Sequence, residues 1–226
     1  MRFAREAWPF VLPFVILATL LLWLGHNLWA VLSMILAVLL LLFFRDPVRR
    51  FSGAAEAVLA PADGRVLKID TITEPEMEDR RYQRIITFLS VFNVHTQTVP
   101  VSSEVVSSRL TAGAKRAAFR GDIDSVNERH LTVLRTAGGE LFGVRQMVGL
   151  VARRIVCYLQ PGMKVERGAP LGLIKFGSRV DLLLPEGYRI QVSPGDTVRS
   201  GLTVMALPPT QADAAEDAAK GAEAPR

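Results

Sequence analysis

The segments "PGMKVERGAPL" (161–171) and "PGDTVRSGLTV" (194–204) share the pattern Pro-Gly-x-x-Val-x-x-Gly-x-x-[Leu/Val] at a 33-residue offset. In each copy Gly162 or Gly195 can supply a tight turn, Val165 or Val198 packs inward, and Gly168 or Gly201 opens the next strand. The bland alternative is that Pro-Gly turns recur by chance; four matching fixed positions favour a true repeat of two similar hairpins. Outward from this repeat, the chain from Ala57 onward is β-patterned. "VLAPADGRVLKID" (58–70) reads as a strand broken by a Pro/Asp-Gly turn, and "RIITFLSVFNVHTQTVP" (84–100) is rich in β-branched and aromatic residues. "ELFGVRQMVGLVARRIVCYL" (140–159) is mostly strand-like, with a short helix over Gln146–Arg154 as the alternative. Glycine and proline punctuate at short intervals and long amphipathic helices are missing, the pattern of a barrel or sandwich.

The expected fold is therefore mainly β, a flattened β-barrel or sandwich resembling biotinyl and lipoyl carrier domains. An N-terminal two-helix transmembrane hairpin precedes it. Trp8–Leu24 and Leu28–Phe44 contain no charge, and only Gly25-His26-Asn27 separates them. Each is near the lower end of the roughly 17–25 residues that span a bilayer. A signal peptide is disfavoured, because the apolar region is too long and no small-residue cleavage site follows. A single tilted helix would bury Gly-His-Asn in mid-membrane. Arg2 and Arg5 before the hairpin and Arg45, Arg49 and Arg50 after it place both ends, and residues 45–226, on the cytoplasmic side of the cell membrane. The hairpin also explains why a chain of net charge +5 is half hydrophobic. Residues 1–50 form the anchor, 51–207 the β domain, and 208–226, an Ala/Asp/Glu/Lys tail after two prolines, a disordered end.

Candidate chemistry is sparse. The one cysteine, Cys157, permits no intrachain disulfide and reads as a small buried hydrophobe; no metal site is expected. His26 lies in the membrane turn, and His130 lies among charged residues and is expected to be exposed. His95 stands in "VFNVHTQTVP", where alternation puts Phe92, Val94 and Thr96 on one face and Asn93, His95 and Gln97 on the other. A polar row in an apolar region can face a site, although a satisfied structural histidine is the commoner case. Asp63 in "PADG" is by itself most simply a turn residue. The basic, Gly-rich "GAKRAAFRGD" (113–122) could hold a phosphate or be an exposed loop. Walker, His-Glu-x-x-His, Cys-x-x-Cys and Gly-x-Ser-x-Gly motifs are absent, and basic and aromatic residues do not interleave for nucleic-acid stacking.

"IKFGSRVDLLLP" (174–185) is a good strand interrupted by Gly177-Ser178. Glycine weakens a strand, but it lets the backbone bend until the serine hydroxyl reaches its own preceding carbonyl. Attack there replaces the amide by an ester, provided a base takes the proton and a third group orients the base. His95 and Asp63 are available for those roles. Elimination and hydrolysis would leave a pyruvoyl group at a new N-terminus.

The set "PADG", "FNVHTQTVP" and "KFGSRVD" behind a hydrophobic hairpin resembles the short form of the phosphatidylserine decarboxylases over most of residues 45–207. Long forms have Leu-Gly-Ser-Thr and a second histidine where this chain has Phe92. The resemblance implies a self-processing proenzyme with the triad Asp63, His95 and Ser178. Cleavage between Gly177 and Ser178 would give a β chain 1–177 and a pyruvoyl-bearing α chain 178–226 that stay together as a heterodimer. It further implies that the pyruvoyl cofactor, derived from Ser178, forms a Schiff base with phosphatidylserine in the membrane and releases CO2 and phosphatidylethanolamine. Arg153, Arg154, Lys115 and Arg116 are candidates for the lipid phosphate; nucleic acid is not an expected partner, and homo-oligomerisation is left open. The rivals are a membrane-anchored carrier or adaptor module, for which Met163-Lys164 is the nearest modifiable lysine, and a structural membrane scaffold.

Overall fold

The computed structural model describes residues 2–114, 126–149, 154–175 and 178–210. Gly177, residues 115–122 of the basic loop with Lys115 and Arg116, Arg153 and residues 211–226 of the tail lie outside these residues. Two helices, α1 (Trp8–Trp23) and α2 (Asn27–Phe43), are followed by a mainly β body with no further helix among the described residues. Gly25, at φ 78°, terminates α1 in the left-handed conformation that only glycine adopts at no cost. The helices meet through small residues, with Ala18, Ala30 and Ala37 buried, and Ser33 Oγ donates across to the Phe14 carbonyl at 2.8 Å. Their other faces expose Ile16, Leu20, Leu28 and Trp29. Arg5–Trp23, 19 residues, is the one described helix long and apolar enough to cross a membrane; α2 has 17 residues.

The two ends of this pair are stapled together. Arg2–Phe3 pairs antiparallel with Arg45–Asp46, and Ala4 N donates to the Phe44 carbonyl at 2.9 Å. Ala4, Ala7, Val11, Ala37 and Phe44 pack on Leu173 of the β body, and Tyr158 Oη donates to Glu6 at 3.1 Å.

The β body is built on an eight-stranded sheet that curls as a half-barrel. In it, strand Ser178–Pro185 lies between Arg80–Leu89 and Leu141–Val148. Gln146–Val148 thus belongs to a strand, not to the alternative helix. Two three-stranded sheets complete the body, one formed by Arg154–Cys157, Pro170–Lys175 and Thr96–Thr98. Period-two alternation sends Val180, Leu182, Leu184, Val144 and Phe142 into the core, where they meet Ile85, Leu134, Leu171 and Ile174.

The sequence repeat is a repeat of hydrogen bonds. Gly162 N donates to Val105 O and Gly195 N to Val66 O, both at 2.8 Å; Val105 N returns to Met163 O and Val66 N to Asp196 O, both at 2.9 Å. Gly168 N likewise reaches Val99 O and Gly201 N reaches Ala60 O. Segments around 60–66 and 99–105 are therefore equivalent, and Pro61 corresponds to Pro100. They cross-bond about a local twofold, Leu59 N to Pro100 O at 3.0 Å and Thr98 N to Pro61 O at 2.9 Å. Gly162, Gly168, Gly195 and Gly201 all have positive φ, as the shared pattern requires.

Candidate active site

Ser178 opens its strand with its side chain on the core-facing side. It is wholly buried, and its Oγ has no hydrogen-bond partner among the described residues. Its Cα partners are Leu89 on one side and Val148 on the other. Leu89 leads into a tight turn over Ser90–Asn93, and His95 follows. His95 is 2 % exposed and, among the described residues, neither ring nitrogen completes a hydrogen bond. Burial pushes its pKa down to about 4; the nearby carbonyls of Ser90 and Val91 and the charge of Asp63 offset this in part, and Arg45 reinforces it. The imidazole therefore faces the Ser90–Val91 backbone, next to the residue that pairs with Ser178. Ile174 N donates to the His95 carbonyl at 3.4 Å, and Ser178 follows four positions later, at most about 14 Å along an extended chain.

Phe43, the last residue of α2, stacks on the His95 ring with centroids 4.3 Å apart. The helix pair is thus part of the wall that keeps water from the imidazole. Gln97 donates to the His95 carbonyl at 2.8 Å and accepts from Gln146 Nε2 at 2.9 Å, while Gln146 Oε1 is left unpartnered. Beside these groups a cavity opens, lined by Asp46, Arg49, Thr96, Thr98 and Ser200.

Asp63 sits differently from the expectation. Its carboxylate is not bonded to His95; Arg49 takes both oxygens, Nη2 to Oδ2 at 2.8 Å, and the Ser200 backbone N–H donates to Oδ1 at 2.7 Å. The repeat explains this placement. The equivalent position in the other copy is Ser102, whose Oγ accepts from Arg167 N at 3.1 Å. One side-chain-to-backbone bond holds both hairpins, but only the first copy places a charge there. Gly64 follows Asp63 because a Cβ at that position would collide with the Phe88 carbonyl.

Three other expectations are corrected. The polar row at 93–97 is not one face of a strand, since the strand covers only Thr96–Thr98. Asn93 instead closes the turn, accepting from Ser90 N at 2.8 Å and Ser90 Oγ at 2.7 Å, and Phe92 points outward, 84 % exposed. His130 is buried rather than exposed, because it shares the inward face of its strand with Thr132 and Leu134; its Nε2 is 3.4 Å from Ser108 Oγ. Cys157 is only partly buried and has polar neighbours. Burial pushes its thiol up, but hydrogen bonds with His130, Thr132, the Leu159 backbone and Ser108 outweigh that and bring it to about 7.

Sequence reasoning also missed the role of the residues after Ser178 in "GSRVD". Arg179 and Asp181 point to the opposite face of the sheet and pair with each other at 2.6 and 2.8 Å. Asp181 also lies 3.9 Å from Arg84 and 3.8 Å from Arg145, which are engaged by Asp70 and Glu74. The i, i+2 spacing of Arg179 and Asp181 was the available signal.

Ser178 and His95 are both buried, and burial keeps the imidazole unprotonated near neutral pH. The sequence model of the phosphatidylserine decarboxylase family matches residues 36–206. Phosphatidylserine decarboxylase proenzyme from Burkholderia pseudomallei (strain 1106a) is 40% identical over 208 residues, 92% of this chain and 96% of the relative. The proenzyme from Nitrosomonas europaea is 39% identical over 203 residues, 90% of this chain and 94% of the relative. The chain belongs to the phosphatidylserine decarboxylase family.

Proposed function

We infer that this decarboxylase makes its own electrophile by severing the Gly177–Ser178 bond, giving a β chain 1–177 and an α chain 178–226. The observation that supports this reading is that two buried groups without a hydrogen-bond partner among the described residues flank one short stretch of backbone: Ser178 pairs with Leu89, and the Ser90 and Val91 carbonyls lie near the His95 ring. Buried polar groups without partners are costly. Where they persist together, chemistry is the usual reason.

His95, neutral at cytoplasmic pH, takes the Ser178 hydroxyl proton, and Oγ adds to the Gly177 carbonyl so that an ester replaces the amide. Removal of the Ser178 α-proton then expels the Gly177 carboxylate and leaves dehydroalanine. Hydrolysis of that group releases ammonia and leaves pyruvoyl at the start of the α chain. The pyruvoyl carbonyl supplies an electron sink for the bond that CO2 leaves when phosphatidylserine is bound. The residues fit its formation: the Ser178 side chain is enclosed and free of competing bonds. Asp63 serves through its charge, favouring the imidazolium that forms as the proton moves. Phe43, Gln97 and the buried sheet wall exclude water from His95. The helix pair is read as a hairpin in the cell membrane with the β body on the cytoplasmic side, which keeps the site at the level of its lipid substrate.

The dyad-related hairpins are read as the kernel of a flattened barrel of the carrier-domain kind. A carrier function is disfavoured, since Lys164 lies in a strand opposite Glu104 and not at a turn tip. Intact-mass analysis and denaturing gels test the proposal. The purified protein is expected as two fragments, one starting at position 178 with a blocked N-terminus, and Ser178→Ala as one inactive 226-residue chain. A cleaved, active Ser178→Ala protein overturns it.

A further inference from the structure

We propose that the Ser90–Asn93 turn is a membrane wedge, with Val91 and Phe92 entering the acyl boundary of an anionic phospholipid bilayer beside Ser178. The proposal rests on the reading of the chain as a membrane-anchored enzyme. Phe92 is the most exposed large hydrophobic among the described residues, at 84 %, and Val91 is 47 % exposed. A lone exposed apolar residue is ordinary; three features make this pair different. The turn that presents them is held from within by Asn93 Oδ1, which accepts from Ser90 N and Ser90 Oγ, and by Asn93 N, which donates to Ser90 O at 3.0 Å. The turn is also tied to the anchor. One guanidinium, Arg45, donates through Nη1 to Leu42 O at 2.9 Å and through Nη2 to Phe92 O at 2.6 Å, fixing the turn level with the end of α2. Cations lie near the same end of the anchor: Lys175 is 5.0 Å over the Phe10 ring, and Arg154 is its register partner. They complement anionic headgroups.

Helix length gives the depth. Seventeen residues of α2 rise about 25 Å, less than the roughly 30 Å hydrocarbon core. The end of α2 is therefore drawn into the boundary, and the turn bonded to it is drawn in as well. Leu89, immediately before the turn, pairs with Ser178. Insertion of the wedge thus sets the height of Ser178 relative to the headgroups.

The test uses the full chain, as Cys157→Ser with Phe92→Cys carrying an environment-sensitive fluorophore, in phosphatidylcholine–phosphatidylglycerol vesicles with lipid-borne quenchers. All three tryptophans, Trp8, Trp23 and Trp29, lie in the helix pair, so their quenching reports the anchor independently. The expected result is quenching of both probes by shallow quenchers and protection of the label from aqueous iodide. Quenched tryptophans with an unquenched, iodide-accessible label overturn the wedge and leave the anchor standing; unquenched tryptophans overturn both. In a second arm, Phe92→Asp turns over vesicle phosphatidylserine roughly tenfold more slowly than Phe92→Leu, with equal thermal midpoints. Equal turnover of the two variants overturns the proposal.

Discussion

Strand 178–185 separates two buried polar clusters that differ in charge and in bonding. On its outer face, Arg179, Arg84 and Arg145 oppose Asp181, Asp70 and Glu74, and every charge has an opposite charge beside it. On its inner face, Ser178 Oγ, both nitrogens of His95 and Gln146 Oε1 have no hydrogen-bond partner among the described residues, whereas on the outer face Arg145 Nε alone lacks one. Electrostatically complete clusters fix register and hold a fold together. Incomplete ones raise the energy of the native state, and a sequence keeps them where a reaction uses them. On the proposed reading, the motif "GSRVD" has two jobs on one strand, reactive through Ser178 and structural through Arg179 and Asp181.

Substitutions on the two faces should separate these jobs. His95→Gln should slow self-cleavage by about 10²–10⁴-fold, the usual worth of a positioned base, and leave the thermal midpoint nearly unchanged. A large fall in stability would place His95 with the structural cluster. Asp181→Ala should do the reverse, because it leaves buried arginines unopposed. A loss of about 3–5 kcal/mol in denaturant unfolding is expected, with cleavage surviving in whatever fraction folds. Unchanged stability would dissolve the contrast.

The repeat sharpens the comparison with smaller effects. Asp63→Asn should slow cleavage roughly tenfold, about one pKa unit of lost support for the imidazolium, whereas Ser102→Ala at the equivalent position should leave the cleavage rate alone. Equal effects would return Asp63 to a purely structural role. Phe43→Ala should change the rate at neutral pH little and act instead on the pH profile. The His95 pKa is pushed down to about 4, so the base stays neutral until pH falls through that value. Removing the stacked ring hydrates the imidazolium and raises the pKa toward 6.5, so the acid limb of the cleavage profile should move upward. A limb that stays in place would show that Phe43 does not cover the base.

Much of this was legible in the linear chain, for identifiable reasons. Charge-free runs at 8–24 and 28–44 read as paired helices because apolar length alone signals them, and α1 and α2 fall within a residue or so of those bounds. Pro-Gly spacing disclosed the twofold because positive φ restricts which residue can stand at a turn. The Gly-Ser break pointed to Ser178 because it is poor strand chemistry. His130 was misread because charged flanks in sequence say nothing of which face a strand buries. Phe92 was misread because the Asn93 side chain creates a turn where alternation suggests a strand.

By itself the sequence determined the β character, the helix pair, the repeat and the residues capable of the chemistry, since each depends on local periodicity or on one residue's intrinsic conformational limits. Only the tertiary structure decided which groups are satisfied. Asp63 finds Arg49 14 residues earlier and Ser200 137 residues later, Phe43 closes over His95 from 52 residues away, and Ser178 Oγ is left without a partner among the described residues. Hydrogen bonds and desolvation depend on what the rest of the chain brings within about 3 Å, and no short stretch of sequence carries that information.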